Sequence, residues 1–411
     1  MKDLSQFDAR RIIHTVGSSG QPPLWGAAYF TDGFQDTLRL LDEEFFSDYL
    51  DMGGSAFKLI AGNYGGGKTH FLYLLQELAW RKGYVVSYVS LTPEETPFHR
   101  LDLVYRAIAK GTACMPEGRD IHKGLMTVFK TAVSRWRAQV GPERQDAAES
   151  LAADSARDLE SVGVQRAIRR ILKALFDGDE DTAQELTRWL SAEGYDRQRH
   201  REYGILAPID RSNAFATLRC LAQWVRQAGF KGLVILFDEA ERMPSMSGRQ
   251  KELMLSNLRE LIDETARGTL PGAFVAYAIP DLRFFDGKTG VYEALKQRTA
   301  TLFDFHNPSG VTIRLEGLVK DPAPHLAAIG RRLRRVYEIA YDTSLPDAAT
   351  ERLIPIMAEA VEAVRFADVS YRRIFVQAIV RTFEELRRAP DTLRDKAWAT
   401  KVVDGFLQGG N

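Results

Sequence analysis

With 411 residues the chain can bury a large core and has room for about two or three domains. Its 55 basic and 55 acidic side chains cancel, so no global positive excess advertises nucleic acid, and any such contact needs a local patch. The only cysteines, Cys114 and Cys220, stand far apart with no CxxC, which argues against a disulfide framework and a cysteine zinc site.

The opening "MKDLSQFDARRII" has early acids and no apolar run, unlike a secretory signal. Apolar runs such as "LVILF" are too short to span a bilayer, so no membrane partner is expected and the setting reads as a reducing cytoplasm. Residues 1–56 read as a helical lead-in, with helical spacing in "FDARRIIHTV" and "FQDTLRLLDEEFFSDYL" around the loop "GSSGQPPLWGAAYFTDG". "AFKLIAG" reads as a buried strand. "GKTHFLYLLQELAWRKG" reads as a helix with Phe71, Leu72, Leu75, Leu78 and Ala79 on one face and Gly83 at its stop, and "YVVSYVSL" is the next strand. This strand–loop–helix–strand order predicts a parallel sheet.

From Leu101 to Ala228 there is little strand signal. Residues 115–212 read as a helical insertion whose polar joints are "GPERQDAAES" and "DGDEDT". "SNAFATLRCLAQWVRQAGF" returns to the sheet, with Ser212 as its cap and Gly229 at its end. "KGLVILFDEAE" is then a strand, "RQKELMLSNLRELIDETAR" a helix and "GAFVAYAIPD" a strand. The expected fold class is α/β, with a parallel central sheet, a large helical insertion and a C-terminal helical lid. The core covers residues 57–317 and the lid bundle 318–411.

Gly62, Gly67, Lys68 and Thr69 fit GxxxxGK[ST]. Glycine is needed where a chain turns tightly around a phosphate, and Gly65 and Gly66 add freedom. Backbone N–H groups of Gly62, Asn63, Tyr64, Gly65, Gly66 and Gly67 and the N-terminus of the next helix would face the β-phosphate of ATP. Lys68 would reach the β- and γ-oxygens, and the Thr69 hydroxyl would ligate Mg²⁺. His70 follows on the first helical turn and is counted with the nucleotide-binding residues of the loop, where it is expected to pack or hydrogen-bond locally rather than perform catalysis.

"LVILFDEAE" puts Asp238 and Glu239 at the carboxyl end of an apolar strand, the edge where open parallel sheets bind ligands. Asp238 would hold Mg²⁺ through its water shell, and Glu239 would polarise the attacking water, a role typically giving 10²–10⁴ in rate. Glu241 would form a salt bridge, for example to Arg242 or Arg249. After "FVAYAI" the expected sensor position is poor: Ala278, Ile279 and Pro280 stand there, and Asp281, the nearest polar group, is either the residue that holds the attacking water or a turn residue after the proline. Arg298, ending a helix after the last core strand, is placed for an arginine finger from a neighbouring subunit, which implies a nucleotide-dependent homo-oligomer. Arg372 and Arg373 open a lid helix, where either would bridge to the nucleotide and report lid closure unless the pair faces water, and Arg372 is preferred as the nucleotide-binding one.

Together these motifs resemble AAA+ ATPases of the origin-recognition and Cdc6-like branch, which implies a P-loop NTPase, AAA+-like, fold. A nearer resemblance is to a bacterial P-loop family represented in BREX phage-defence systems by an ATP-binding protein. It rests on "GNYGGGKTHFL", "SLTPEETPFHRLDLVYRAI", "REYGILAPIDRSNAF" and "AGFKGLVILFDEAER", and runs from about Ala9 to Arg388; His70 and the "FDEAE" ending are its most specific parts. The resemblance implies ATP-dependent defence against foreign DNA, beside other defence proteins: a DNA methyltransferase, a phosphatase-like protein and a helicase-like protein. It departs from origin-recognition proteins in having little chain after the lid for a winged helix.

Direct DNA contact would fall to "RQRHRE" (Arg197, Arg199, His200, Arg201) or "RRLRR" (Arg331, Arg332, Arg334, Arg335), unless acids neutralise them. The histidines show no HExxH spacing, so no metal beyond Mg²⁺ is expected. Three functions fit this pattern: an ATPase that drives or gates a defence assembly, a scaffold gated by nucleotide binding with hydrolysis incidental, and a P-loop kinase. The long helices after the core and the absence of an evident acceptor pocket weigh against the kinase.

Overall fold

The computed structural model of the chain describes residues 4–116, 120–141, 143–240, 246–287, 289–319, 321–364 and 371–408. Ser5 caps α1 (Gln6–Ser19) by accepting from the Asp8 N–H at 3.1 Å. The short α2 (Gln35–Leu41) widens into a π-turn over Asp42–Phe46. β1 (Ala56–Ala61) is buried at every position and leads through the glycine loop into α3 (Lys68–Arg81). On α3, Phe71, Leu72, Leu75 and Ala79 are fully buried and Leu78 is half-buried.

β2 (Val85–Ser90) and α4 (Leu101–Gly111) follow. A two-residue strand, β3 (Thr112–Ala113), then pairs antiparallel with β2 where no strand was expected, because so short a run carries no periodicity. The insertion is helical: α5 (Leu125–Val140), α6 (Gln145–Asp154), α7 (Val162–Asp177), α8 (Glu180–Leu190) and α9 (Arg197–Glu202). The expected joint "GPERQDAAES" is mostly α6, whose buried face is built from the small side chains of Ala148 and Ala152 and so carries a weak apolar signal. The joint between α7 and α8 is only Gly178, which ends α7, and Asp179, which caps α8.

α10 (Ala214–Gln227) starts one residue later than a Ser212 cap would place it. The Ser212 hydroxyl instead donates to Asp210 at 2.6 Å and Asn213 occupies the N-cap position, while Gly229 does end the helix, left-handed at φ +88° just after the C-cap Ala228, with its N–H on Arg226 O at 2.9 Å and Phe230 N–H on Val225 O at 3.2 Å. β4 (Leu233–Asp238), α11 (Gly248–Ala266), β5 (Ala273–Ile279), α12 (Gly290–Thr299) and β6 (Thr312–Arg314) complete the α/β part. Among the described residues four helices follow: α13 (Pro322–Tyr341), α14 (Asp347–Val364), α15 (Tyr371–Arg388) and α16 (Lys396–Gln408).

Among the described residues the strands form one six-stranded sheet in the order β3-β2-β4-β5-β1-β6. β2, β4 and β5 run parallel, and Ser90 faces Asp238 across the β2–β4 ladder. β4 and β5 are buried throughout, as strands covered on both faces are, which explains their unbroken apolar runs. The chain is thus a mixed α/β protein with a mostly parallel sheet and large helical parts, a P-loop NTPase-like fold.

Two compact units account for the contacts. One comprises Met1–Leu40, Ile60–Glu77 and Arg314–Asn411. Its core joins α1 to the last four helices through Ile12, Val16, Leu333, Met357, Phe375 and Phe383. Burying each such chain contributes roughly 1.5–3 kcal/mol relative to exposure.

The other unit comprises Leu41–Leu59 and Leu78–Ile313. There α5 of the insertion is anchored on α10 by Phe129 against Trp224, ring centroids 4.3 Å apart. The same unit buries Lys58 of β1, whose ammonium donates to the carbonyls of Gly310 and Pro308 and lies 4.3 Å from the Phe45 ring and 4.5 Å from the Phe303 ring. Burial lowers its pKa from 10.5 to about 7, against a smaller opposing pull from Glu44.

Candidate functional site

The phosphate loop lies in the first unit and is shaped by its own backbone. Gly65 and Gly67 hold φ of +72° and +93°, where a side chain would be strained. Gly62 is not left-handed, so the need for positive φ falls on Gly65 instead. Gly66 donates its N–H to Asn63 O at 2.9 Å, and a Cβ there would stand 2.8 Å from that oxygen. α3 begins at Lys68, with Phe71 N–H on Gly67 O at 2.8 Å. Lys68 is buried, and its ammonium donates to Gly62 O at 2.8 Å and Asn63 O at 3.2 Å. Thr69 follows on the first turn, half-buried.

The loop is braced from α15. Arg372 donates through Nη1 to Gly66 O, and its Nε is buried without a hydrogen-bond partner. A half-buried guanidinium held on the loop, with its buried Nε still to be satisfied, has the planar donor set that suits a phosphate anion. The neighbouring Arg373 lies 5.5 Å from the ring of Tyr64, which is 57 % exposed at the loop tip. Asn63 donates its N–H to the Glu316 carboxylate.

His70 ties α3 to the segment before it. Its Nε2 is 2.6 Å from the Thr31 hydroxyl, which in turn is 2.7 Å from Ala27 O. Thr31 has one proton, and with Ala27 O accepting it, the neutral imidazole donates from Nε2. Burial, and then the charges of Arg372 and His325, lower the His70 pKa to about 3. Phe30 meets the ring edge-on at 5.4 Å. His70 is therefore engaged in local packing and hydrogen bonding. Glu77 adds to the tie by accepting from Gly26 and Ala27 N–H at 2.8 and 2.9 Å. Thr31, Glu77 and Glu316 escaped the sequence reading, since nothing local marks their distant partners.

Asp238 and Glu239 lie in the second unit. Asp238 ends β4, 2 % exposed, and accepts from Glu239 N–H at 2.9 Å and from Tyr88 OH at 2.5 Å. Tyr88 sits on the adjacent β2, so only strand pairing, not sequence, brings it to Asp238. Glu239 is half-buried at φ +64°, an unusual backbone for a residue with a Cβ. Glu241 and Arg242 lie outside the described residues.

Asp281 caps the short turn Leu282–Phe285 by accepting from Arg283 N–H at 2.7 Å, and pairs with the Arg283 side chain. It is engaged as a turn residue. Arg298 does end α12, where its fork grips Asp263 of α11 at 2.6 and 3.0 Å and Nη1 donates to Ala294 O.

The basic clusters are only partly available. His200 is buried in α9, and Arg199 is 3.9 Å from Glu185. On α13, Arg334 is bound by Glu338, Asp347 and Glu351, Arg331 by Glu351 and Arg332 by Asp32.

As for metal, no cluster of three or more His, Cys, Asp or Glu side chains that could hold an ion occurs among the described residues. Mg²⁺ at a phosphate site takes one or two protein oxygens and completes its shell from phosphate and water; the Thr69 hydroxyl in the first unit and the Asp238 carboxylate in the second are each oxygen donors of that kind. No helix among the described residues is long and apolar enough to cross a membrane.

Compared with known families, residues 4–401 match the family described as BREX system ATP-binding protein BrxC/D. No curated protein and no solved structure matches significantly.

Proposed function

As a member of the BREX system ATP-binding protein BrxC/D family, to which it belongs, the chain is an ATP-binding protein of a phage-defence system, and we propose that it hydrolyses the ATP it binds to drive or gate a DNA-defence assembly of AAA+ type. The observation that carries the reading is the brace on the phosphate loop: Arg372 fixed on Gly66 O with a free buried donor, in the same unit as buried Lys68. Lys68 and Arg372 supply positive charge for the β- and γ-phosphates, and the loop N–H groups from Gly62 to Thr69 hold the phosphate chain. Thr69 and Asp238 would hold Mg²⁺, which neutralises phosphate charge when bound. Glu239 accepts a proton from the attacking water, with Tyr88 and the Glu239 N–H keeping the Asp238 carboxylate oriented. The proteins it acts with, its cytoplasmic setting and its assembly into a nucleotide-dependent homo-oligomer belong to the same proposal.

The scaffold reading has its own support. The end of β5 offers Ala278, Ile279 and Pro280, with no polar side chain, and the Arg298 fork is occupied by Asp263 of the same chain. Phage protection separates the two readings. A scaffold keeps protection in Glu239→Gln and loses it in Lys68→Ala, whereas a hydrolysis-driven device loses it in both.

A further inference from the structure

We propose that the concave face between α13 and the Ala27–Tyr29 turn binds the phosphodiester backbone of nucleic acid, with Arg331, Arg332 and Arg335 as the phosphate ligands. The concavity measures about 500 Å³ and is lined by Ala28, Tyr29, Ala328, Arg331, Arg332 and Arg335. Positions 328, 331, 332 and 335 are spaced by three and four and so share one helix face. Ala328 keeps the floor low and the arginines stand around it. Arg331 and Arg335 are exposed and Arg332 is half-buried.

The nearby acids do not neutralise this face. Glu351 serves Arg331 at 3.0 Å and also Arg334 at 3.2 Å. Asp32 is shared between Arg332 at 3.5 Å and His325 at 3.2 Å. Arg335 has no ion pair among the described residues. Two shared carboxylates thus face three arginines, leaving local positive charge on a chain whose total is zero. The planar guanidinium fork matches phosphate oxygens, and the half-buried Tyr29 adds an aromatic wall, edge-on to Trp25 at 5.8 Å, for a sugar or base. Arg334 lies apart from this face, held among three acids, and contributes to stability instead.

The inference does not depend on ATP turnover. Its test is fluorescence anisotropy of a short labelled duplex and of the matching single strand, titrated at several salt concentrations with the full chain, Arg335→Glu and Arg331→Ala/Arg335→Ala. The expected result is binding that weakens about tenfold or more in both variants. In the double variant the log–log salt slope should fall by about one per arginine removed. Unchanged melting temperature and unchanged affinity for a fluorescent ATP analogue would show the fold and the phosphate loop intact. Arg199→Ala, in the other basic cluster, should bind like the parent chain. No binding of either oligonucleotide by the parent chain, or unaltered affinity and slope in the α13 variants, overturns the proposal. So does binding of anionic phosphatidylserine vesicles in place of oligonucleotide.

Discussion

Glu239 combines a carboxylate at a strand end with a backbone at φ +64°, a conformation that costs a residue with a Cβ on the order of 1 kcal/mol. Glycine pays no such cost, so Glu239→Gly is predicted to leave the denaturation midpoint unchanged or raised while turnover falls by about 10²-fold or more. A variant both destabilised and active would contradict this. Lys58 makes a separate prediction. Its pKa is about 7 when folded and 10.5 when not, so between those values the unfolded chain binds more protons. Stability therefore rises as pH climbs from about 7 towards 10.5, by up to about 1.4 kcal/mol per pH unit. Denaturant melts of Lys58→Met across that range should lack this rise; an identical pH slope would contradict the assignment. At this scale the loop glycines, Lys68 and Thr69 were legible, because the motif is local. Thr31, Glu77 and Tyr88 were not, because each acts on a partner 39 to 150 residues away.

α12 carries Arg298 to Asp263 of α11, a bidentate pair whose side chains are 32 % and 20 % exposed. Such pairs contribute about 0–1 kcal/mol, so Arg298→Ala should barely move the melting temperature. If Arg298 serves as a finger in trans, the same variant loses about 10³-fold in turnover, and Asp263→Asn, which frees the fork, keeps or raises it. Loss of less than tenfold in Arg298→Ala would leave it as a brace between helices. Helices and strands with wide apolar faces were readable from periodicity, β4 and α3 foremost. α6 was not, since alanines at 148 and 152 pack closely without a strong hydrophobic signal, and the α10 cap shifted because Asp210 captures Ser212. Arg372 was found from its place at a helix start, but its grip on Gly66 depends on how α15 packs.

Across the whole molecule, read in order, the chain suggests lead-in, core and lid as successive blocks. Contacts gather Met1–Leu40, Ile60–Glu77 and Arg314–Asn411 into one unit, and α1 packs in the core of the last four helices. Such interleaving follows from packing between segments hundreds of residues apart, which periodicity does not encode. An assembly formed on nucleotide is tested by native mass with and without a non-hydrolysable ATP analogue: a larger species only with the analogue supports a finger in trans, and a monomer in both states favours the scaffold. The central claim, that this BREX-family chain cleaves the ATP it binds, is tested most directly by phosphate release with Mg²⁺, with and without DNA, beside parallel ATP-binding titrations. The account predicts turnover by the parent chain, binding without turnover in Glu239→Gln, and loss of both in Lys68→Ala. No release under any condition, or undiminished release from Glu239→Gln, would contradict it.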